Sequence, residues 1–370
     1  MRVVIAGGGT GGHFFPAVAV AEKLKEKGAE VLYIGSVNGV EFRKREVVED
    51  FSPVFLDVAG IRGKGLRALK NAFSVMRSVR RVGGIFNGFK PDKVLIFGGY
   101  ASLPVGLAAI LWRVPFFVQE QNSIPGKTNL YLSKFSCKVF VGFRKALEYF
   151  KEKSVYTGNP VRKEVVEFST KRAELRDKFL RKFSLSSDKK TLLIFGGSQG
   201  ALWINEKFLK VSHQLSQFAD KFQVIHITGG KLADRLKEKY ESLGIKSVVL
   251  PFYERIWELY VIADCAVSRS GAMSIAELSC FGIPTLFIPY PYAVDDHQYY
   301  NALEIYKSGG CFLERQDSLT DERFVQLICE LLFDRMTYQK FSEKMKRFSN
   351  PTAADEITEM LLDERVKETC

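Results

Sequence analysis

Short, unbroken apolar runs separated by amphipathic stretches organise the first 160 residues. Arg2-Val-Val-Ile-Ala6, Val31-Leu-Tyr-Ile34, Val94-Leu-Ile-Phe97, Phe116-Phe-Val118 and Val139-Phe-Val141 do not alternate with polar residues. This is the pattern of strands buried on both faces of a parallel sheet, and helical stretches such as Ala17 to Lys27 lie between them. The pattern restarts after Gly158-Asn-Pro160 with Thr191-Leu-Leu-Ile-Phe195, Val224-Ile-His-Ile227, Val248-Val-Leu250, Cys265-Ala-Val267 and Thr285-Leu-Phe-Ile288. The polar stretch from about Arg162 to Lys190 is expected to lead the chain into a second domain. The segment Ala353 to Lys367 reads as a helix that the pattern assigns to neither domain. Each half opens on a strand that runs into glycines, Ile5-Ala-Gly-Gly-Gly-Thr-Gly-Gly12 and Ile194-Phe-Gly-Gly-Ser-Gln-Gly200. The expected fold class is therefore α/β, two Rossmann-like domains related by an imperfect duplication and facing one another.

The uncharged run Val94 to Trp112 is long enough to resemble a membrane span. It contains Gly98, Gly99, Tyr100, Ser102, Pro104 and Gly106, so it reads as strand, glycine loop and helix. At 370 residues the chain suits two domains, and 46% hydrophobic with 26% charged residues excludes a disordered polymer. The six cysteines form no CxxC pair and the four histidines stand away from them, which argues against a zinc site or a disulfide framework and for a reducing, cytoplasmic compartment. No export signal is visible. The net charge of +12 implies an anionic partner without choosing among nucleic acid, acidic lipid and a phosphorylated substrate.

Glycines let a ligand approach the backbone, and a following helix aims unpaired amides and a positive dipole end at it, so strand-glycine-helix turns favour phosphates. Three such turns stand at strand ends: Gly7 to Gly12, Gly98-Gly99-Tyr100, and Gly196 to Gly200. The first satisfies GxGxxG, but Gly35-Ser36-Val37-Asn38 stands where a dinucleotide fold needs a ribose-binding acid. No GK[ST] completes any of the turns as a Walker loop, and the chain lacks a DxD pair for a divalent ion on a nucleotide diphosphate.

Seven motifs occur in order: Gly8-Gly-Thr-Gly-Gly-His13, Gly98-Gly-Tyr-Ala-Ser102, Gln119-Glu-Gln-Asn122, Thr157-Gly-Asn-Pro-Val-Arg162, Gly196-Gly-Ser-Gln-Gly-Ala201, Arg269-Ser-Gly-Ala272 with Glu277, and Asp295-Asp-His-Gln298 with Asn301. Together they resemble the MurG family, bacterial transferases that add N-acetylglucosamine to the lipid-linked muramyl pentapeptide, lipid I, to form lipid II in peptidoglycan synthesis. The resemblance runs from about residue 1 to 310 and weakens beyond Gly310. It implies a GT-B fold, two Rossmann-like domains facing a central cleft. Residues 1–161 would form an acceptor and membrane-association domain and 162–349 a UDP-N-acetylglucosamine domain, with 350–370 a C-terminal helix returning to the first.

The resemblance implies donor contacts from Thr10, Gly11, Gly12, Asn122, Arg162, Ser198, Gln199, Tyr253, Ala272, Met273, Glu277, His297 and Gln298. Glu277 would accept two hydrogen bonds from the ribose diol, as a carboxylate can; the alternative is an ordinary solvated helix glutamate. Ser198, Gln199 and Arg162 would hold the diphosphate, while Gln298, His297 and Asn122 would bond the sugar. Tyr253 would read uracil through its backbone, so its ring need not matter. Some members carry Gln-Gln where this chain has His297-Gln298, which weakens the role of position 297. Acceptor contacts would come from Gly8, Gly9, His13, Gly98, Gly99, Tyr100 and Ser102.

The family's donor is α-linked and its product β-linked, so the resemblance implies inversion by one displacement, which needs a base and stabilisation of departing UDP. His13, between the glycine turn and a helix expected to begin near Pro16, is the candidate base, since the positive helix end favours a neutral ring. The alternatives for His13 are shaping the loop or binding acceptor diphosphate. Glu120 is the second catalytic candidate, and also reads as a loop-ordering carboxylate. Neither cofactor nor metal is expected.

From Ile61 to Lys90 eight basic residues and no acidic one are interleaved with apolar residues. Such a stretch suits an anionic membrane surface, with Phe73, Met76, Arg77, Arg80 and Arg81 contacting lipid and Trp112-Arg113 as a further anchor. The alternative is a solvated helix whose apolar side is core. The expectation is a peripheral protein on the cytoplasmic face of the cell membrane, whose partners are UDP-N-acetylglucosamine, lipid I, anionic lipid and other cell-wall synthesis proteins. Alternative readings are a diacylglycerol glycosyltransferase, a UDP-N-acetylglucosamine epimerase, or a basic nucleic-acid-binding protein; no RNP, KH or helix-turn-helix pattern supports the last.

Overall fold

The computed structural model describes residues 1–58, 66–197 and 200–364, the side chains of 66–72 excepted. The chain forms two compact units, residues 1–162 with 350 onward, and Lys163–Ser349. In the first unit β1 (Arg2–Ala6), α1 (Gly11–Glu26), β2 (Glu30–Ser36), α2 (Val40–Arg43), β3 (Val54–Leu56), α3 (Leu66–Phe89), β4 (Lys93–Ile96), α4 (Ser102–Leu111), β5 (Phe116–Glu120), α5 (Lys127–Leu132), β6 (Val139–Val141) and β7 (Ser154–Tyr156) follow one another. Their seven-stranded parallel sheet has the order β3-β2-β1-β4-β5-β6-β7. Side chains alternate across it. Val3, Ile5, Tyr33, Leu95 and Phe117 pack with α1 on one face, and Val4, Ala6, Ile34, Ile96 and Val118 pack with α3 and α4 on the other.

The second unit repeats the plan with β8 (Lys190–Phe195), β9 (Phe222–Ile227), β10 (Ser247–Leu250), β11 (Cys265–Ser268), β12 (Thr285–Phe287) and β13 (Phe312–Leu313), ordered β10-β9-β8-β11-β12-β13. Both are Rossmann-like, as the glycine-terminated strands predict. β3, β7 and β13 escape the sequence reading because each is a two- or three-residue edge strand and only partly buried. The polar stretch after Arg162 is two helices of the second unit, Lys163–Thr170 and Arg172–Lys182, with Val165, Phe179 and Leu180 inward. Their low hydrophobicity reflects a wide solvent face. Arg172 secures them by donating to the carbonyls of Val261, Ala263 and Phe281.

The helix Ala353–Leu362 packs on α1, and Lys23 pairs with Asp355 at 3.2 Å. Buried Lys93 donates from Nζ to the carbonyls of Leu361 and Asp363 at 2.6 and 2.7 Å, satisfying acceptors at the end of that helix. The run Val94 to Trp112 is strand, loop and ten-residue helix, and no helix among the described residues is long and apolar enough to cross a membrane. Cys265, Cys280, Cys311 and Cys329 are free thiols.

Candidate functional site

In each unit the strand order reverses beside the first strand, between β1 and β4 and between β8 and β11, which is where open α/β sheets bind ligands. All three glycine turns follow strands at these points. In the first unit two of them lie against each other. A Cβ on Gly99 would fall 2.0 Å from the Gly8 carbonyl oxygen, and one on Gly98 would fall 2.8 Å from Cδ2 of His13. Both residues hold φ near +90°, at 94° for Gly98 and 86° for Gly99, so neither the space nor the backbone admits a side chain.

The helix carrying His13 starts earlier than Pro16 suggested. The Thr10 carbonyl accepts from the amides of His13 and Phe14, so α1 is under way at Gly11, and Pro16 forfeits only the bond its nitrogen would have made to Gly12. His13 is thus the third helical residue, half-buried in the first turn. Its Nδ1 lies 3.2 Å from Thr10 Oγ1, so the Thr10 hydroxyl contacts the histidine ring.

Several expected ligand contacts turn out to be internal. The Ser102 side chain is fully buried: its Oγ accepts from the Gly98 amide at 2.9 Å and lies 2.7 Å from the Gly98 carbonyl, so it shapes the turn instead of meeting acceptor. The Gly9 amide donates to Glu41 Oε2 at 2.7 Å, and Gly8 is buried. Tyr100 remains accessible, its ring about 3.8 Å from where a Gly9 Cβ would stand.

Glu120 is 1% exposed. Its Oε1 accepts from the Asn122 amide at 2.9 Å and from Asn122 Nδ2 at 3.3 Å, and its Oε2 from the Gly126 amide at 3.0 Å and Asn129 Nδ2 at 2.9 Å. Burial raises its pKa and these four donors oppose the shift. Its carboxylate ties down the loop after β5. The neighbouring motif residues do similar work: Gln119 Nε2 donates to Asn159 Oδ1, Asn159 Nδ2 to the Gln121 carbonyl, and Gln121 Nε2 to the Phe97 carbonyl. Arg162 belongs to the first unit, its guanidinium 4.5 Å from the ring centre of Phe15 on α1.

In the second unit the turn after β8 begins at Gly196-Gly197; Ser198 and Gln199 lie outside the described residues. A Cβ on Gly197 would meet nothing within 4 Å, so only its φ of +79° demands glycine there. The turn after β11 opens the helix Ala272–Phe281, with Ala272 buried and Met273 half-buried at its start. Glu277, on the same helix, is 5% exposed, which excludes the solvated alternative. The buried Tyr260 hydroxyl donates to its Oε2.

Arg269 is a scaffold residue. It donates to the carbonyls of Ile288 and Pro289 and to Gln316, and burial pulls its pKa down to about 10. It thereby supports the segment in which the Tyr290 amide donates to Gln298 Oε1 at 3.0 Å. His297 Nδ1 lies 2.8 Å from the Val294 carbonyl, so that nitrogen carries the proton. The Tyr253 hydroxyl donates to Glu258 Oε2 and accepts from Lys182 Nζ at 3.0 Å, anchoring the loop after β10.

The sequence profile of the glycosyltransferase family 28 N-terminal domain matches residues 3–141, and that of the family 28 C-terminal domain residues 191–357. A protein of Aquifex aeolicus (strain VF5) named UDP-N-acetylglucosamine–N-acetylmuramyl-(pentapeptide) pyrophosphoryl-undecaprenol N-acetylglucosamine transferase is 39% identical over 363 residues, 97% of this chain and 99% of its own. The crystal structure of Acinetobacter baumannii MurG superposes with a TM-score of 0.78 at 27% identity, covering 97% of this chain and 98% of that one. The chain belongs to the MurG family. A UDP-GlcNAc 2-epimerase from Neisseria meningitidis, bound to UDP-GlcNAc, superposes at a TM-score of 0.68 with 15% identity over 98% of this chain and 100% of its own. That likeness shows the shared GT-B fold alone.

MurG-family membership directs attention to α3, because the Aquifex relative's named acceptor is an undecaprenol conjugate. On α3 Phe73 is 75% and Met76 57% exposed, while Val79, Val82 and Phe86 are buried. Arg77, Arg80 and Arg81 are exposed as well, and Leu111 and Arg113 stand exposed at the end of α4. Trp112 is exposed as well and also has an internal role. Its ring fills the space a Gly83 side chain would need, and its Nε1 donates to Asn87 Oδ1 at 3.1 Å, so the indole clasps α4 to α3. The sequence reading of this MurG-family chain also missed Glu41, Tyr260 and Glu258. Each is a buried polar partner of a motif residue remote in sequence or set apart from the motif, and only Gly35 and Gly39 around Glu41 hinted at one of them.

Proposed function

We propose that this chain transfers N-acetylglucosamine from UDP-N-acetylglucosamine to the 4-hydroxyl of the muramyl sugar of lipid I, with inversion and without a metal ion. The 39% identity to the named transferase, over an alignment covering 97% of the chain, carries this reading. The ribose diol of the donor is assigned to Glu277, its sugar to Gln298 with His297 and Asn122, and the uracil to the loop that Tyr253 anchors. Phosphate is assigned to the helix-opening amides of the turn after β8, with Arg162 as a further contact. The amide dipoles at helix N-termini are suited to the charge that develops on departing UDP.

His13 is assigned as the base that takes the acceptor proton. That role requires the tautomer in which Nδ1–H donates to Thr10 Oγ1 and Nε2 presents its lone pair. Glu120 serves as a loop-ordering carboxylate in this scheme, since four hydrogen bonds already occupy its oxygens. The exposed face of α3 would rest peripherally on anionic lipid of the cytoplasmic leaflet. UDP release from UDP-N-acetylglucosamine, measured with and without lipid I, tests the proposal: release that requires lipid I supports it, and epimerisation without acceptor overturns it. Activity should persist in EDTA; loss restored by magnesium or manganese would refute metal independence.

A further inference from the structure

Glu41 is fully buried although its side chain is polar, and nothing in the proposed chemistry uses it. Its Oε1 accepts from the Ser36 amide at the end of β2 at 2.9 Å, and its Oε2 accepts from the Gly9 amide in the turn after β1 at 2.7 Å. The side chain is walled in by glycines. A Cβ on Gly8 would stand 2.1 Å from its carboxyl carbon, one on Gly39 2.0 Å from Oε2, and one on Gly35 2.7 Å from its Cγ. Three glycines, one in the turn after β1 and two at and just after the end of β2, thus leave room for one carboxylate. A buried carboxylate of this kind persists only when its hydrogen bonds repay desolvation, so it fixes the groups that supply them.

Two consequences follow from the geometry. Glu41 already holds the amide that an anion would use at Gly9, and its side chain fills the space beneath Gly8. This part of the glycine turn is therefore unsuited to a dinucleotide or to acceptor diphosphate, and any anion must meet the later amides at the start of α1. Second, the turn that Glu41 holds transmits its position. The Gly8 carbonyl abuts Gly99, and adjacent Gly98 underlies the His13 ring. We infer that Glu41 is a positioning residue for His13: it pins the Gly8-Gly9 turn, which fixes the Gly98-Gly99 turn and, through it, the ring. The inference rests on the assignment of His13 to the reaction and deepens it.

Glu41→Gln is the informative variant. The amide oxygen can keep one backbone donor, but the amide nitrogen then opposes the other. His13 is the only histidine in the first unit, the others being His213, His226 and His297, so its ring signals in a histidine NMR spectrum report on this unit alone. In Glu41→Gln the His13 ring signals should move while the other three stay fixed. The kcat for transfer to lipid I should fall about 10- to 100-fold with the KM for UDP-N-acetylglucosamine within about twofold, as expected for a displaced base. Unmoved His13 signals, or a folded variant with wild-type kcat, overturn the inference. Should Glu41→Gln not fold, exchange of the wild-type Gly9 amide decides: slow exchange supports the tether and solvent-like exchange refutes it. If the wild-type protein transfers no sugar, the proposed function fails, whereas the His13 shift and the Gly9 amide still report on the tether.

Discussion

The Tyr260 hydroxyl donates to Glu277 Oε2 at 3.0 Å. The Tyr260 ring is held between Phe195 and Phe281, with centroids 6.1 and 5.5 Å away, so the donor is fixed before any ligand arrives. A carboxylate aimed by such a partner loses little freedom on binding a diol. Glu277→Ala should raise the KM for UDP-N-acetylglucosamine by about tenfold or more, the effect of ~1.4 kcal/mol for a lost charged hydrogen bond. Tyr260→Phe should raise it by a smaller factor, roughly threefold, with kcat preserved. Steady-state kinetics with varied donor check both, and an unchanged donor KM in Glu277→Ala would contradict the ribose assignment.

His13 can be a base or a binder, and kinetics separate the two. As a base, His13→Ala should lower kcat by about 10² to 10⁴ and leave donor binding nearly intact. As a phosphate binder, it should mainly raise the acceptor KM, and His13→Asn, which keeps a donor, should recover much of the loss. The wild-type kcat profile should carry an acidic limb that disappears in His13→Ala. Thr10→Val removes the hydroxyl that orients Nδ1 and should reduce kcat without abolishing it. Retention of the limb in His13→Ala would move attention to Glu120.

Phe73, Met76, Arg77 and Arg80 recur at helical spacing on α3, with the two apolar side chains exposed. Each apolar side chain contributes on the order of 1.5–3 kcal/mol when buried and each arginine about 1 kcal/mol beside anionic lipid. The double variant Phe73→Ser with Met76→Ser should bind phosphatidylglycerol vesicles at least about tenfold more weakly in co-sedimentation, and transfer to a short-chain acceptor should be unaffected. Equal vesicle binding would rule out this face.

His226 offers a test of stability against pH. It is buried between Tyr240 and Asn205, and because Asn205 Nδ2 is spent on the carbonyls of Thr228 and Lys231, Asn205 Oδ1 accepts from Nε2–H while Nδ1 accepts the Tyr240 proton. Burial lowers the pKa of His226 from 6.5 to about 3. The folded ring therefore stays neutral while the unfolded chain binds a proton below pH ~6.5, so stability falls as pH drops through that value. Urea unfolding should give a contribution about 2 kcal/mol less stabilising at pH 5 than at pH 7. His226→Gln should flatten that dependence, and an unchanged slope would show that other groups carry it.

Apolar runs and glycine turns were legible along the chain because they are local: a strand buried on both faces excludes polar residues wherever it lies, and a tight turn needs glycine whatever surrounds it. That information placed β1, β4, β8 and β11 and the glycine turns that follow the first three. The edge strands β3, β7 and β13 carry too few buried residues to announce themselves. What only the tertiary structure decided is which polar groups are already spent. Ser102 closes on Gly98, Glu120 gathers four donors from the loop and helix after its own strand, and Trp112 lies on Gly83. Glu41 reaches a glycine 32 positions before it. A side chain's availability to a ligand depends on partners that folding brings together from afar, and hydrophobic periodicity contains no record of those pairings.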